Sequence, residues 1–73
     1  MNLFAKRRIE AGLSQETAAA RLHIDRSTIA KWETDVAKPR LDKIPAIASL
    51  YKCSVVTLIS ETDKTVGNTE KAV

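Results

Sequence analysis

Apolar residues recur at helical spacing in five short stretches of the chain, and polar residues, glycine or proline separate these stretches. The pattern predicts helices over residues 3–11, 15–22, 26–34, 41–51 and 55–60. Short polar residues that can cap a helix stand before four of them: Asn2, Ser14, Asp25 and Ser54. Gly12 is expected to end the first helix. The fourth begins at Leu41 or Asp42; if Asp42 is its cap, Pro45 lies in the first turn, where N–H groups have no partner within the helix.

Small and apolar residues that share one face of each predicted helix define the expected core. In the second helix these residues are Ala18, Ala19 and Leu22, and the two alanines leave room for a neighbouring helix to approach. In the fourth helix they are Ile44, Ile47, Ala48 and Tyr51. Trp32 is in phase with Ile29, so we interpret it as a core residue and not as an exposed stacking surface. The faces together predict a compact all-α domain over residues 1–60.

The third helix is predicted to have a buried side and an exposed side. An advance of about 100° per residue places Ile29, Trp32 and Glu33 on the buried side. The residues that face directly outward are Ser27, Ala30, Lys31 and Thr34. Arg26 reaches the exposed side from the first turn. Because only residues 23–25 connect the second and third helices, we expect these two helices to cross steeply.

The charge of the chain is positive and unevenly distributed. The 73 residues carry a net charge of +3, which favours a polyanionic partner. Residues 1–40 hold eight basic and five acidic side chains, whereas residues 61–73 hold two basic and three acidic ones. The positive charge therefore belongs to the helical part. Residues 61–73 are predicted to form a polar, disordered tail.

The chain offers few residues for catalysis or metal binding. Cys53 is the only cysteine and His23 the only histidine, so no disulfide, metal site or nucleophile–base pair is indicated. We interpret Cys53 as a small buried side chain and His23 as an exposed turn residue. No enzymatic activity, metal or cofactor is expected. The first residues are charged, and no apolar run approaches the roughly 20 residues of a membrane span, which favours a soluble, cytoplasmic protein and no membrane partner.

A set of motif residues runs through the second and third helices and continues to the last. They are Leu13, Ser14, Gln15, Ala19, Ile24, Ile29, Trp32, Glu33, Pro39, Ser54 and Leu58. In these residues the chain resembles the Cro/C1-type helix-turn-helix family of phage repressors and related bacterial regulators, over about residues 3–60. The resemblance implies a five-helix domain like that of lambda repressor, with the helix-turn-helix at helices 2 and 3. It also implies that residues 26–34 enter the major groove of double-stranded DNA.

The resemblance has further implications for single residues. It implies that Arg8 and Glu33 form a structural ion pair that ties the first helix to the third. His23 stands where the family usually has glycine in the turn, which is therefore expected to be slightly strained. Asp35 stands where glycine usually ends the third helix, and aspartate tolerates the left-handed conformation better than most residues.

Base reading is expected at the N-terminal end of the third helix, because a helix in the major groove meets the base edges there. Arg26 or Lys31 could bind the O6 and N7 atoms of guanine. Ser27 can both donate and accept hydrogen bonds. The methyl group of Ala30 could contact a thymine methyl, and Thr28 is a further candidate.

Contacts with the DNA backbone are expected on both sides of the recognition helix. Gln15 begins the preceding helix, where free N–H groups attract a phosphate, so its amide could bind the backbone or reach a base. Thr34 is a candidate for either kind of contact. Lys38, Arg40 and Lys43 cluster after the helix and would add affinity more than sequence choice.

Two functions of different kinds fit this sequence. The first is a transcriptional repressor or regulator, bacterial or phage-encoded, that binds a palindromic operator as a homodimer. One short helix makes too few contacts for a specific affinity of about 10⁻⁸ to 10⁻¹¹ M, and Val56 and Ile59 in the last helix are the candidate dimer surface. The alternative is an antitoxin-like or anti-repressor protein whose main partner is another polypeptide, bound through the last helix or the tail.

Overall fold

The computed structural model of the protein describes residues 2–62, and this part of the chain is all-helical apart from its connections. The five helices are α1 (Leu3–Glu10), α2 (Gln15–Leu22), α3 (Arg26–Glu33), α4 (Ile44–Tyr51) and α5 (Val55–Thr62). The predicted number and order of the helices are confirmed, and the bounds agree to within a few residues. Of the predicted tail, residues 63–73 lie outside the described residues, and residues 61 and 62 continue α5.

Three predicted N-terminal caps are confirmed. The side-chain oxygens of Asn2, Ser14 and Ser54 each accept a hydrogen bond from the backbone N–H three residues later, at 3.1, 3.0 and 3.2 Å. Each bond satisfies one of the N–H groups that have no partner within the helix. The starts of α1, α2 and α5 are therefore encoded locally.

The predicted cap at Asp25 is confirmed in position but not in its side-chain hydrogen bond, and of the two possible starts of the fourth helix, Asp42 does not act as its cap. Asp25 occupies the cap position of α3, but its side chain makes no capping hydrogen bond. Its own carbonyl oxygen accepts from the N–H of Thr28 at 3.0 Å, and this N–H is the donor that a capping side chain would bind. Asp42 lies inside a 3₁₀ turn, Leu41–Lys43, that leads into α4. Pro45 is the second residue of α4, so it does lie in the first turn as predicted.

The C-terminal ends of α1, α2 and α4 share one geometry. The residues that follow these helices in the left-handed region are Gly12, His23 and Lys52, with φ of 76°, 59° and 58°. In each case the next N–H donates to a carbonyl five residues earlier, as in a Schellman motif. Gly12 ends α1 as predicted, and Asp35 after α3 is also left-handed, with φ of 62°.

The core consists of the predicted faces of the helices. The largest fully buried side chains are Phe4, Ile29, Ile44, Ile47 and Leu58. Trp32 is 5% exposed and its ring centroid lies 6.1 Å from that of Phe4, which confirms it as a core residue. Cys53 is only half-buried, and the prediction of a buried cysteine is therefore too strong.

The helices pack so that one side of α3 remains open. The buried alanines of α2 let it lie closely against α3, and α1 packs against α3, α4 and α5. α4 contacts α5 and also α2. The inner side of α3 is therefore enclosed by α1 and α2, whereas its outer side faces solvent.

Candidate nucleic-acid interface

The outer side of α3 is polar and exposed. Arg26, Ser27 and Lys31 are exposed, and so is Thr34, which directly follows the helix; Thr28 and Ala30 are half-buried. Ile29 is completely buried on the opposite side. The helical phase therefore separates the residues as the sequence predicts, except that Ala30 is less open than a residue that faces directly outward.

The hydroxyl of Thr34 is engaged within α3. It donates to the carbonyl oxygen of Ala30 at 3.0 Å, a bond between residue i and residue i−4 of the helix. Because its hydrogen is used in this way, the hydroxyl presents only acceptor capacity to the exterior. Thr34 therefore suits a donor group better than a phosphate oxygen.

A shallow hollow of about 340 Å³ lies beside the outer side of α3. Its walls come from Ile24, Thr28, Lys31, Trp32, Ala37, Lys38, Pro39, Arg40 and Lys43. Four of these side chains are cationic and exposed. The sequence places Lys38, Arg40 and Lys43 together after α3, and the fold adds Lys31 from the helix itself. The arrangement concentrates positive charge where a polyanion alongside α3 would pass.

An ion pair between α1 and α3 fixes the position of α3. The Nε and Nη2 atoms of Arg8 donate to the two carboxylate oxygens of Glu33, at 2.6 and 3.0 Å. The side chains are only 12% and 7% exposed. The hydrogen bond to Glu33 is also the main reason why the pKa of Arg8 is raised above its ordinary value. Arg8 further donates to the carbonyl oxygen of Leu13 at 2.7 Å, which ties the α1–α2 connection to the same pair.

Gln15 connects this ion pair to the exposed side of α3. Its Nε2 atom donates to Glu33 Oε1 at 3.0 Å, and its Oε1 atom accepts from Arg26 Nη1 at 3.2 Å. The sequence predicts contacts with DNA for Gln15 and Arg26 but does not predict either hydrogen bond. Part of the signal was present, because Arg26 and Glu33 are seven residues apart and therefore lie on the same stripe of α3, but nothing in the sequence places Gln15 over that stripe.

Asn2 is a second link between α1 and α3 that the sequence analysis missed. Besides capping α1, its Nδ2 atom donates to the carbonyl oxygen of Trp32 at 2.6 Å and to Asp35 Oδ1 at 3.1 Å. The first of these bonds satisfies a carbonyl group at the end of α3, where no helical partner remains. Asn2 and Arg8 thus hold the C-terminal half of α3 against α1.

The predicted dimer surface on α5 is partly open. Val56 is 75% exposed and Val55 is 37% exposed. Ile59 is half-buried and packs against the core. The exposed apolar area on this helix is therefore centred on its first turn.

Other kinds of site find little support in residues 2–62. This range contains no group of three or more His, Cys, Asp or Glu side chains that could hold a metal ion. Within the same range, no helix has both the length and the apolar character needed to cross a membrane.

Comparison with known proteins agrees with this geometry. A family model described as helix-turn-helix matches residues 4–58, which include α1 apart from Leu3, the whole of α2, α3 and α4, and the first part of α5. No curated protein and no solved structure gives a significant match. The matched range covers the exposed side of α3, the Arg8–Glu33 ion pair and the cationic hollow. The chain belongs to the Cro/C1-type helix-turn-helix family, and its fold is that of a DNA-binding domain.

Proposed function

We propose that the protein is a transcriptional repressor or regulator that recognises a specific operator sequence with α3 in the major groove. The observation that carries this proposal is the division of α3 into an enclosed apolar side and an open polar side. The polar side is bordered by the cationic hollow. A helix held in this way can enter a groove without any rearrangement of the core.

The bases are read from the first two turns of α3. Arg26 donates to O6 and N7 of a guanine, and Lys31, one turn later, serves as a second donor. Ser27 hydrogen-bonds a base edge or a phosphate. Thr28 and Ala30, which are half-buried, make shorter contacts, with the Ala30 methyl against a thymine methyl.

The DNA backbone is held on both flanks of α3. On one flank a phosphate lies against the cationic hollow, close to Lys38, Arg40 and Lys43. On the other flank Gln15 has one amide hydrogen left after its bond to Glu33, and it lies at the N-terminus of α2, where anions are favoured. Thr34, whose hydroxyl keeps only acceptor capacity, contacts an amino group of a base and not a phosphate.

The operator is palindromic, and two copies of the chain bind it. One α3 makes too few base contacts for the affinity of a typical specific complex, so a second half-site about 34 Å away supplies the rest. The exposed Val56 at the start of α5 is the centre of the contact between the two copies, with Ile59 at its edge.

Two alanine variants test the mode of DNA recognition. Operators are first selected from a random DNA pool with the wild-type protein. Arg26→Ala should then weaken operator binding by about 1 to 3 kcal/mol and relax the preference at one base pair. Lys38→Ala should weaken all sequences alike and reduce the slope of log affinity against log salt by about 1. If both variants lost affinity uniformly across sequences, direct base reading by Arg26 would be wrong.

The dimer is tested by the stoichiometry of the complex. Sedimentation of the operator complex should give two protein chains per operator. Val56→Glu should weaken binding to the full operator but leave binding to an isolated half-site unchanged, which makes the half-site the matched control. One chain per selected operator would refute the dimer and leave the role of α3 intact.

A further inference from the structure

A line of hydrogen bonds runs from the buried ion pair to the exposed side of α3. Arg8 holds the carboxylate of Glu33 with two bonds, and Glu33 Oε1 also accepts from Gln15. Gln15 in turn accepts from the guanidinium of Arg26. The line begins at side chains that are about nine-tenths buried and ends at one that is exposed.

The chemistry of Glu33 fixes the direction of this line. A carboxylate can only accept hydrogen bonds, so the amide of Gln15 must turn its Nε2 atom towards Glu33. Its carbonyl oxygen is then left facing Arg26, which can only donate. A glutamine elsewhere on the surface could present either end of its amide, but Gln15 cannot because Glu33 is itself held by Arg8.

We propose that Gln15 and Glu33 are positioning residues that set the direction from which Arg26 reads its base. The proposal rests on the function proposed above, in which α3 lies in the major groove. With Nη1 engaged by Gln15, the Nε and Nη2 groups of Arg26 remain available to a guanine. An arginine oriented before binding loses less side-chain freedom when the complex forms, which strengthens the preference for the base it reaches.

The competing role for Gln15 is direct reading of a base edge. Its second amide hydrogen can bind a phosphate, which changes the affinity for all sequences alike and is compatible with positioning, or a base edge, which changes the preference at one base pair. The two roles differ in their dependence on Arg26. A positioning residue loses its influence on base preference when Arg26 is absent, whereas a residue that contacts a base edge directly keeps its influence.

The experiment uses the full chain with Gln15→Ala, Arg26→Ala and the double substitution. Selection from a random DNA pool with wild type and with Arg26→Ala first identifies the base pair whose preference Arg26 controls. Competition binding then gives the affinity ratio between the preferred and the changed base at that pair. The ratio is independent of the active protein fraction, and the other pairs of the half-site are the internal control.

We expect Gln15→Ala to lower this ratio by about five-fold or more, since a bidentate contact gives roughly 5- to 150-fold discrimination. In the Arg26→Ala background the same substitution should not change this ratio further. The preferences at the other base pairs should stay as in the wild type. An unchanged ratio for Gln15→Ala would overturn the proposal. So would an equal fold-change in both backgrounds, because Gln15 would then contact a base directly.

Gln15→Glu tests the part played by Glu33. This substitution keeps an acceptor for Arg26 but removes the donor to Glu33, and the general repulsion of DNA by its charge cancels in the ratio. A ratio as low as that of Gln15→Ala supports positioning through Glu33, and a wild-type ratio refutes it. If the wild-type protein selected no sequence at all, the proposed function would fail together with this inference, whereas the other negative results overturn the inference alone.

Discussion

Removal of either partner of the buried ion pair between Arg8 and Glu33 should strongly lower the free energy of unfolding, because the remaining charge stays buried without its partner. Arg8→Met removes the guanidinium and keeps most of the aliphatic stem, but it leaves the carboxylate of Glu33, which is 7% exposed, with Gln15 as its remaining partner. Breaking a buried pair in this way costs about 3 to 5 kcal/mol. A chain of this size has a free energy of unfolding of only about 4 to 11 kcal/mol, so Arg8→Met should lose about half of it. Glu33→Leu should cost a similar amount.

The double variant with both substitutions should recover most of the lost stability. Neither charge is then buried alone, and apolar side chains of similar volume often replace a buried pair without net cost. The carbonyl oxygen of Leu13 and the amide of Gln15 each lose a partner, which leaves a deficit of about 1 to 3 kcal/mol. The double variant should therefore be more stable than either single variant.

Urea unfolding followed by far-ultraviolet circular dichroism measures these differences. The matched control is Arg7→Met in the same helix, because Arg7 forms its pair with Glu10 at the surface, with side chains 35% and 50% exposed. This control should cost less than about 0.5 kcal/mol. If Arg8→Met cost no more than Arg7→Met, or if the two single losses simply added in the double variant, the reasoning from burial would be wrong.

Two further predictions concern a buried hydroxyl and the helix ends. Burial raises the pKa of Tyr51 to about 12, and its hydroxyl has no hydrogen-bond partner among the described residues. The unfolded chain therefore loses this proton first, and stability should fall by about 2 to 3 kcal/mol between roughly pH 10 and 12. Tyr51→Phe should not show this alkaline loss of stability, and at neutral pH it should be no less stable than the wild type. Urea unfolding between neutral pH and about pH 12 measures both. An equal alkaline loss in the variant and the wild type would contradict the prediction. Lys52→Gly should stabilise the protein by up to about 1 kcal/mol because Lys52 has a φ of 58°. Gly12→Ala should destabilise it by about 1 to 2 kcal/mol through the backbone alone, since a Cβ at Gly12 would meet no atom within 4 Å; thermal melts that shifted in the same direction for both variants would refute this account.

The parts of the fold that depend on neighbours in sequence could be predicted well. The phase of α4 identified Ile44, Ile47 and Tyr51 as core residues, and all three are buried. The caps at Asn2 and Ser14 involve only residues within three positions of each other. Such features follow from helix geometry and from the chemistry of single side chains.

The two aspartates whose side chains make no capping hydrogen bond show where local reasoning ends. Asp25 and Asp42 are as suitable for capping as Asn2, yet backbone hydrogen bonds occupy their places. At Asp25 the first turn of α3 closes tightly enough for the carbonyl oxygen to bind the N–H of Thr28. Residue type gives the propensity for a cap, but the path of the connection decides whether the side chain is used.

The contacts of Gln15 could not be predicted because they depend on how α2 crosses α3. Helical phase places Arg26 and Glu33 on one stripe of α3, but it does not tell which residue of α2 lies over that stripe. In the structure Gln15 lies there and bonds to both. The sequence predicts Arg26 as a reading residue and Glu33 as a scaffold residue, but it does not predict that the side chain of Gln15 lies between them.

The hydrogen bonds of Gln15 mean that scaffold and recognition surface are not separate in this domain. A variant of Glu33 that lost DNA binding would ordinarily be explained by a displaced α3, since Glu33 holds that helix to Arg8. The same variant also frees the amide of Gln15 and, through it, the guanidinium of Arg26. A displaced helix weakens the preference at every base pair that α3 reads, whereas a freed Arg26 weakens it at one. The pattern of lost preferences along the operator therefore distinguishes displacement of α3 from release of Arg26. A measurement of affinity alone would not separate the two.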